Sequence, residues 1–184
     1  MPLSPTPTLS VFIGISVDGF IARLNGALDF LPPGGGEPHG YTEFMAGIDT
    51  LVIGRGTYEI VLAFPEWPYA GKRVAVLSSK PLDLTAARLG PHDKLEQLSG
   101  EPSEIVAQLA ATGTRHVYVD GGVTIRRFLR AGLIGRLIIT CVPVLIGQGI
   151  PLFGTLPHDI LLRHVSTKSF PSGLVSTEYQ VLPQ

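Results

Sequence analysis

A near-continuous apolar run at residues 9–16, with Val11, Phe12, Ile13 and Ile15, predicts a buried strand closed by the turn Asp18-Gly19. Runs at 50–53, 73–78 and 116–120 have the same short, apolar form. Between them the pattern changes to helical spacing. A short helix is expected over 41–47, stopped by Gly47, and another from Gly54-Arg55-Gly56-Thr57 to residue 63. A third is expected at 103–113, with Ser103 as N-cap and Ile105, Val106 and Leu109 on one face. In the fourth, Ile125, Phe128 and Leu129 recur at i, i+3, i+4, Arg126, Arg127 and Arg130 turn outward, and Gly132 takes the C′ position. A long strand at 137–146 follows, then two more at 161–169 and 174–182 around Pro171-Ser172-Gly173.

Strand–helix alternation followed by a run of strands predicts an α/β sandwich: a central, mostly parallel sheet with helices on both faces and an antiparallel C-terminal strand pair. The 184 residues suit one domain over 1–184, and 45% hydrophobic residues suffice for its core. Pro32-Pro33-Gly34-Gly35-Gly36 can hold no regular element and is expected to be a mobile loop. A net charge of −1 offers no basic footprint for nucleic acid or anionic lipid. Residues 1–10 lack a positive segment, and no apolar run approaches the roughly 18 residues of a membrane span, so a cytoplasmic location is expected.

Much chemistry is excluded by what is missing. The single cysteine, Cys141, permits no internal disulfide and no zinc-deaminase motif, and is expected to act as a small apolar residue. The histidines show no paired ligand spacing, so no metal is expected. The triphosphatase phosphate loop and the Rossmann fingerprint are both absent. Two stretches do have the form of a phosphate cradle, a strand ending in glycine where a helix begins: Leu51-Val52-Ile53-Gly54-Arg55-Gly56-Thr57 and Val117-Tyr118-Val119-Asp120-Gly121-Gly122-Val123-Thr124. A third strand end, Leu77-Ser78-Ser79-Lys80, offers two hydroxyls and a cation.

Ser16-Val17-Asp18-Gly19-Phe20-Ile21-Ala22, Val52-Ile53-Gly54-Arg55-Gly56-Thr57-Tyr58-Glu59, Leu77-Ser78-Ser79, Tyr118-Val119-Asp120-Gly121-Gly122 and Pro143-Val144-Leu145-Ile146-Gly147-Gln148-Gly149 resemble, in order, the motifs of the dihydrofolate reductase-like superfamily. They look most like the branch holding the riboflavin-biosynthesis reductase domain (RibD C-terminal). The resemblance implies a three-layer dihydrofolate reductase-like fold and an NADPH-dependent oxidoreductase that passes a hydride to a C=N or C=O of a small polar heterocyclic or sugar-derived substrate. The type reaction is that of 5-amino-6-(5-phosphoribosylamino)uracil reductase. The alternatives are a dihydrofolate reductase proper and a non-catalytic NADP-binding module. A homodimer is implied as well.

Carried over by residue, Gly54, Arg55 and Thr57 match a turn that holds cofactor phosphates, with Arg55 toward the 2′-phosphate. Ser78 and Ser79 match adenosine-side contacts. Gly121, Gly122 and Thr124 match the pyrophosphate turn, where the family often has a cis Gly–Gly bond. Gly14, Ile21 and Ala22 match positions that line the nicotinamide. Neither Glu37 nor Glu43 aligns with the pterin carboxylate of dihydrofolate reductases, and Asp29 lies near the loop tryptophan's position. The candidates for catalysis are Asp29, as proton source or as a solvated loop carboxylate; Asp18, as substrate-side acceptor or turn residue; and Thr140, as substrate contact or strand threonine. Asp120 is read as a helix cap or a chemical group, Trp67 as a packing anchor or a substrate stack, and the 26–36 loop as a lid.

Overall fold

A computed structural model describes residues 6–32 and 37–183. Strands β1 (Thr8–Ser16), β3 (Thr50–Gly54), β4 (Arg73–Leu77), β5 (Lys94–Leu98), β6 (His116–Asp120), β7 (Ile134–Val142), β9 (Leu162–Ser169) and β10 (Val175–Val181) form one sheet in the order β5-β4-β3-β6-β1-β7-β10-β9. From β5 to β7 every pairing is parallel, and β10 and β9 then add antiparallel to the β7 edge. The short β2 (Phe20–Ala22) and β8 (Ile150–Pro151) pair separately.

Parallel strands covered on both faces need apolar residues at successive positions, and alternate side chains then serve opposite layers. In β3, Val52 joins a core with Ile105, Val106 and Leu109 of α3 (Pro102–Ala111) and Ile125, Phe128 and Leu129 of α4 (Gly122–Arg130). Its neighbours Leu51 and Ile53 join the opposite core, with Phe44 of α1 (Tyr41–Ala46) and Tyr58 and Val61 of α2 (Arg55–Leu62). Helices therefore cover both faces, as in the expected three-layer α/β fold.

Several boundaries depart from expectation for local reasons. The 137–146 strand runs instead from Ile134 to Val142. Pro143 has no N–H for a ladder, and the N–H groups of Ile146 and Gly147 go to the Asp18 carboxylate. α3 starts before Ser103: Glu101 is its N-cap, in a capping box with Glu104, and Pro102 occupies the first turn, where a missing N–H costs nothing. β5, β2 and β8 were not expected. β5 reads KLEQL, an edge strand with no fully buried residue, and β2 and β8 span only three and two residues. The glycine core of the expected lid, Gly34 to Gly36 with Pro33, lies outside the described residues.

Candidate active site

The carboxyl ends of β1, β3, β4, β6 and β7 open into a cavity of about 1220 Å³. Strand ends of a doubly covered parallel sheet are where backbone N–H groups and helix N-termini converge, so a ligand site is expected there. Two turns make its floor. α2 begins at Gly54 and α4 at Gly121, and neither helix carries a side-chain cap, so their first-turn N–H groups are left for solvent or a ligand.

These turns are locked together. A Cβ on Gly54 would stand 2.8 Å from the Thr124 hydroxyl oxygen, and one on Gly121 would collide with the Thr57 hydroxyl. Each turn thus lends a glycine to receive the other's threonine. Gly121 also has φ 92° and ψ 131°, a conformation open in practice only to glycine. Gly122 packs as closely, its absent Cβ 2.9 Å from Ile21 Cδ1. Gly56 differs, because a Cβ there would meet nothing within 4 Å, which leaves space beside the N-terminus of α2. No cis peptide bond occurs among the described residues, so the cis Gly121–Gly122 bond implied by the resemblance is not formed.

At the β4 side, Arg55 is held in place before any ligand arrives. Its Nε and Nη2 donate to Ser78 Oγ at 3.2 and 3.1 Å, and Nη2 also donates to the carbonyls of Lys80 and Pro81 at 3.1 Å each. Glu59 lies 3.8 Å from Nη1, an exposed pairing that contributes little. Ser79 and Lys80 remain exposed on the same wall. The result is a fixed guanidinium beside a hydroxyl and an ammonium, a recognition set for a phosphate monoester.

Midway along the cavity stands Asp120, at the end of β6. Its Oδ1 accepts from the Gly121 N–H at 2.7 Å, and the Tyr69 hydroxyl donates to the same carboxylate. Burial pushes this carboxyl up to about 6, although both hydrogen bonds favour the ionised form. Burial also raises the Tyr41 hydroxyl to about 12, with the Asp120 charge adding to it, so this tyrosine stays protonated. Spacing alone marked Asp120 as a helix cap. It does not cap α4, whose N-cap is Gly121 without a side-chain cap; its carboxylate takes only the adjacent Gly121 N–H, and the Tyr69 hydroxyl that reaches it is distant in sequence.

A raised carboxyl destabilises the folded state once ionised. The cost is absent below the unfolded value near 3.8 and complete above about 6. Asp120→Asn keeps an acceptor for Gly121 and is expected to stabilise the protein by about 1–2 kcal/mol at pH 7.5, with the gain fading as the pH falls toward 4. Urea unfolding at several pH values checks this; a gain independent of pH would contradict the assignment.

The structure brings together all the residues expected at a cofactor: Gly14, Ile21, Ala22, Gly54, Arg55, Thr57, Ser78, Ser79, Gly121, Gly122 and Thr124 all line the cavity. Of the three expected catalytic side chains, only Thr140 does so, and its hydroxyl donates to Ser176 Oγ at 3.1 Å. Asp18 and Asp29 are not among the lining residues. The Ser16 hydroxyl holds the Asp18 carboxyl below the usual carboxylate range, together with the N–H groups of Ile146 and Gly147, which donate to it at 3.2 and 2.7 Å. Asp18 pins the loop after β7. Asp29 is exposed and forms a two-pronged pair with Arg23 at 2.8 and 3.1 Å, which lowers its carboxyl in the same direction. Its neighbours Leu28 and Leu31 reach the cavity in its place. Trp67 packs edge-on against Tyr69, 5.5 Å between ring centroids.

Among the described residues no helix is long and apolar enough to cross a membrane. Comparison with known proteins shows where the chain belongs. YwjB of Bacillus subtilis (strain 168), itself uncharacterised, is 31% identical over 163 residues, covering 87% of this chain and 90% of YwjB. The crystal structure of a Shewanella sp. PV-4 protein provisionally assigned to riboflavin biosynthesis is 36% identical, with a TM-score of 0.85 over 95% of this chain and 99% of that one. A Thermotoga maritima diaminohydroxyphosphoribosylaminopyrimidine deaminase/5-amino-6-(5-phosphoribosylamino)uracil reductase shares the fold at 13% identity, with a TM-score of 0.72 over 96% of this chain and 57% of its own. The profile of the RibD C-terminal domain family matches residues 7–176. The chain is a member of the RibD C-terminal domain family.

Proposed function

We propose that the chain is an NADPH-dependent reductase acting on a C=N or C=O group of a small polar heterocyclic or sugar-derived substrate. One observation carries this reading: two uncapped helix N-termini, the Arg55–Ser78 cluster and a desolvated carboxyl all face one cavity.

The residues present fit such a cofactor. The first turns of α2 and α4 suit a pyrophosphate, and the space beside Gly56 leaves room for it. Arg55, Ser79 and Lys80 suit the additional ribose phosphate that separates NADPH from NADH. Gly14, Ile21 and Ala22 line the part of the cavity left for the nicotinamide. When bound, the dinucleotide supplies the hydride. The protein's own groups complete the reduction, which adds that hydride to carbon and a proton to the heteroatom. Asp120, raised to about 6, delivers this proton in its protonated form, and the Tyr69 hydroxyl orients its carboxyl. Leu28, Leu31 and Pro32 wall off water on one side.

Titration of the purified protein with NADPH and NADH, followed by nicotinamide fluorescence, tests the reading. NADPH is expected to bind more tightly, and Arg55→Ala to weaken it by about 1.5–3 kcal/mol while sparing NADH. Equal losses for both nucleotides would reduce Arg55 to a tie on the Ser78–Pro81 turn. Binding of neither would overturn the proposal.

A further inference from the structure

We infer that the substrate end of the cavity takes a flat, unphosphorylated ring compound that presents N–H groups, and disfavours sugar phosphates. The inference rests on the reductase reading and narrows its substrate class.

The cavity runs along the carboxyl ends of the strands, so strand order sorts its lining into two ends. Toward β4 and β5 stand Arg55, Lys80 and Arg127, the last donating to the Gly100 carbonyl at 3.1 Å. Toward β1, β7 and β10 stand Phe12, His39, Tyr41, Thr140, Val142 and Leu174. Among the described residues no lysine or arginine lines this second end. The lysine and arginine side chains of the cavity all lie at the end already matched to the cofactor's adenosine phosphate.

What the second end offers is rings and acceptors. Phe12 stands 5.4 Å from Tyr41 and 5.5 Å from His39, centroid to centroid, so aromatic faces and edges form its wall. Such a surface favours flat ligands, which bury both faces at little conformational cost. The His39 Nδ1 lies 3.0 Å from the Glu37 carbonyl, which occupies that edge of the imidazole. The Thr140 hydroxyl hydrogen goes to Ser176, leaving its oxygen as an acceptor, and the Asp120 carboxylate stands between the two ends. A ligand that meets these two acceptors must bring donors, while the protonated Tyr41 hydroxyl can donate to an acceptor on the same ring. A phosphate brings negative charge instead, and meets a carboxylate with no lysine or arginine to offset it. The Thermotoga maritima relative is named for a phosphoribosyl substrate; among the described residues this wall has no lysine or arginine to meet a phosphate.

The test uses the full chain saturated with NADP+, after the dinucleotide titration has shown saturation. 5,6-Diaminouracil and ribose 5-phosphate are then titrated separately by calorimetry. The ring compound is expected to bind at least about tenfold more tightly than the sugar phosphate. Asp120→Asn, a variant expected to fold with added stability, should weaken the ring compound about tenfold or more and leave ribose 5-phosphate unchanged or improved. Ribose 5-phosphate binding as tightly as the ring compound would overturn the inference. So would a ring compound that fails to bind the saturated protein, or one indifferent to Asp120→Asn. Failure to bind NADP+ at the first step would instead bring down the reductase reading beneath it.

Discussion

Phe128→Ala is expected to cost about 3–5 kcal/mol of folding stability. The ring is fully buried on α4, in the core that α3 and α4 share with β1, β6 and β7. Ile105, Leu109, Ile125 and Leu137 belong to the same cluster and are themselves almost wholly inaccessible, so little can move in to fill the space left behind. Val123→Ala on the same helix provides the contrast. That side chain is 64% exposed, and its loss should change stability by less than about 0.5 kcal/mol. Equilibrium urea unfolding reads both variants. A loss below about 1 kcal/mol for Phe128→Ala would mean that this layer is far less tightly packed than its burial implies.

Gly121→Ala should combine a stability loss of about 2–4 kcal/mol with at least about a thirtyfold fall in dinucleotide affinity. Two costs act at once. A side chain at φ 92° is strained in itself, and its Cβ would meet the Thr57 hydroxyl. Relief requires the start of α4 to withdraw from α2, which separates the two sets of N–H groups that the proposed pyrophosphate needs together. Gly132→Ala isolates the backbone contribution: φ is 66° there, but a Cβ meets nothing within 4 Å. It should lose about 1 kcal/mol and no affinity. If the two variants bind NADPH equally well, the turn is not a ligand cradle.

The parallel body of the fold was legible because strands buried on both faces announce themselves as short apolar runs, and 116–120 matches the observed β6 to the residue. The wall of the cavity was legible for a related reason: glycines and hydroxyls at strand ends are local in sequence as well as in space. What escaped depends on partners distant along the chain. β5 has too few buried side chains to stand out and exists because β4 offers it an edge. Asp18 and Asp29 carry the same functional group as Asp120, and nothing local separates the three. One ties down a loop some 128 residues away, one is paired with a nearby arginine, and one is buried and bound by a tyrosine hydroxyl. Charge and spacing identify a carboxylate, whereas its chemistry is set by what folds against it.

The reciprocal seating of Thr57 on Gly121 and of Thr124 on Gly54 also bears on how such a chain can change over generations. A larger residue at Gly54 needs Thr124 to become smaller first, whereas Gly121 is held as glycine by its φ as well as by Thr57, so the four positions inherit each other's history unequally. A graft that carries one turn into a relative without the other transplants half of a fitted pair, and the recipient supplies a misfit for the rest.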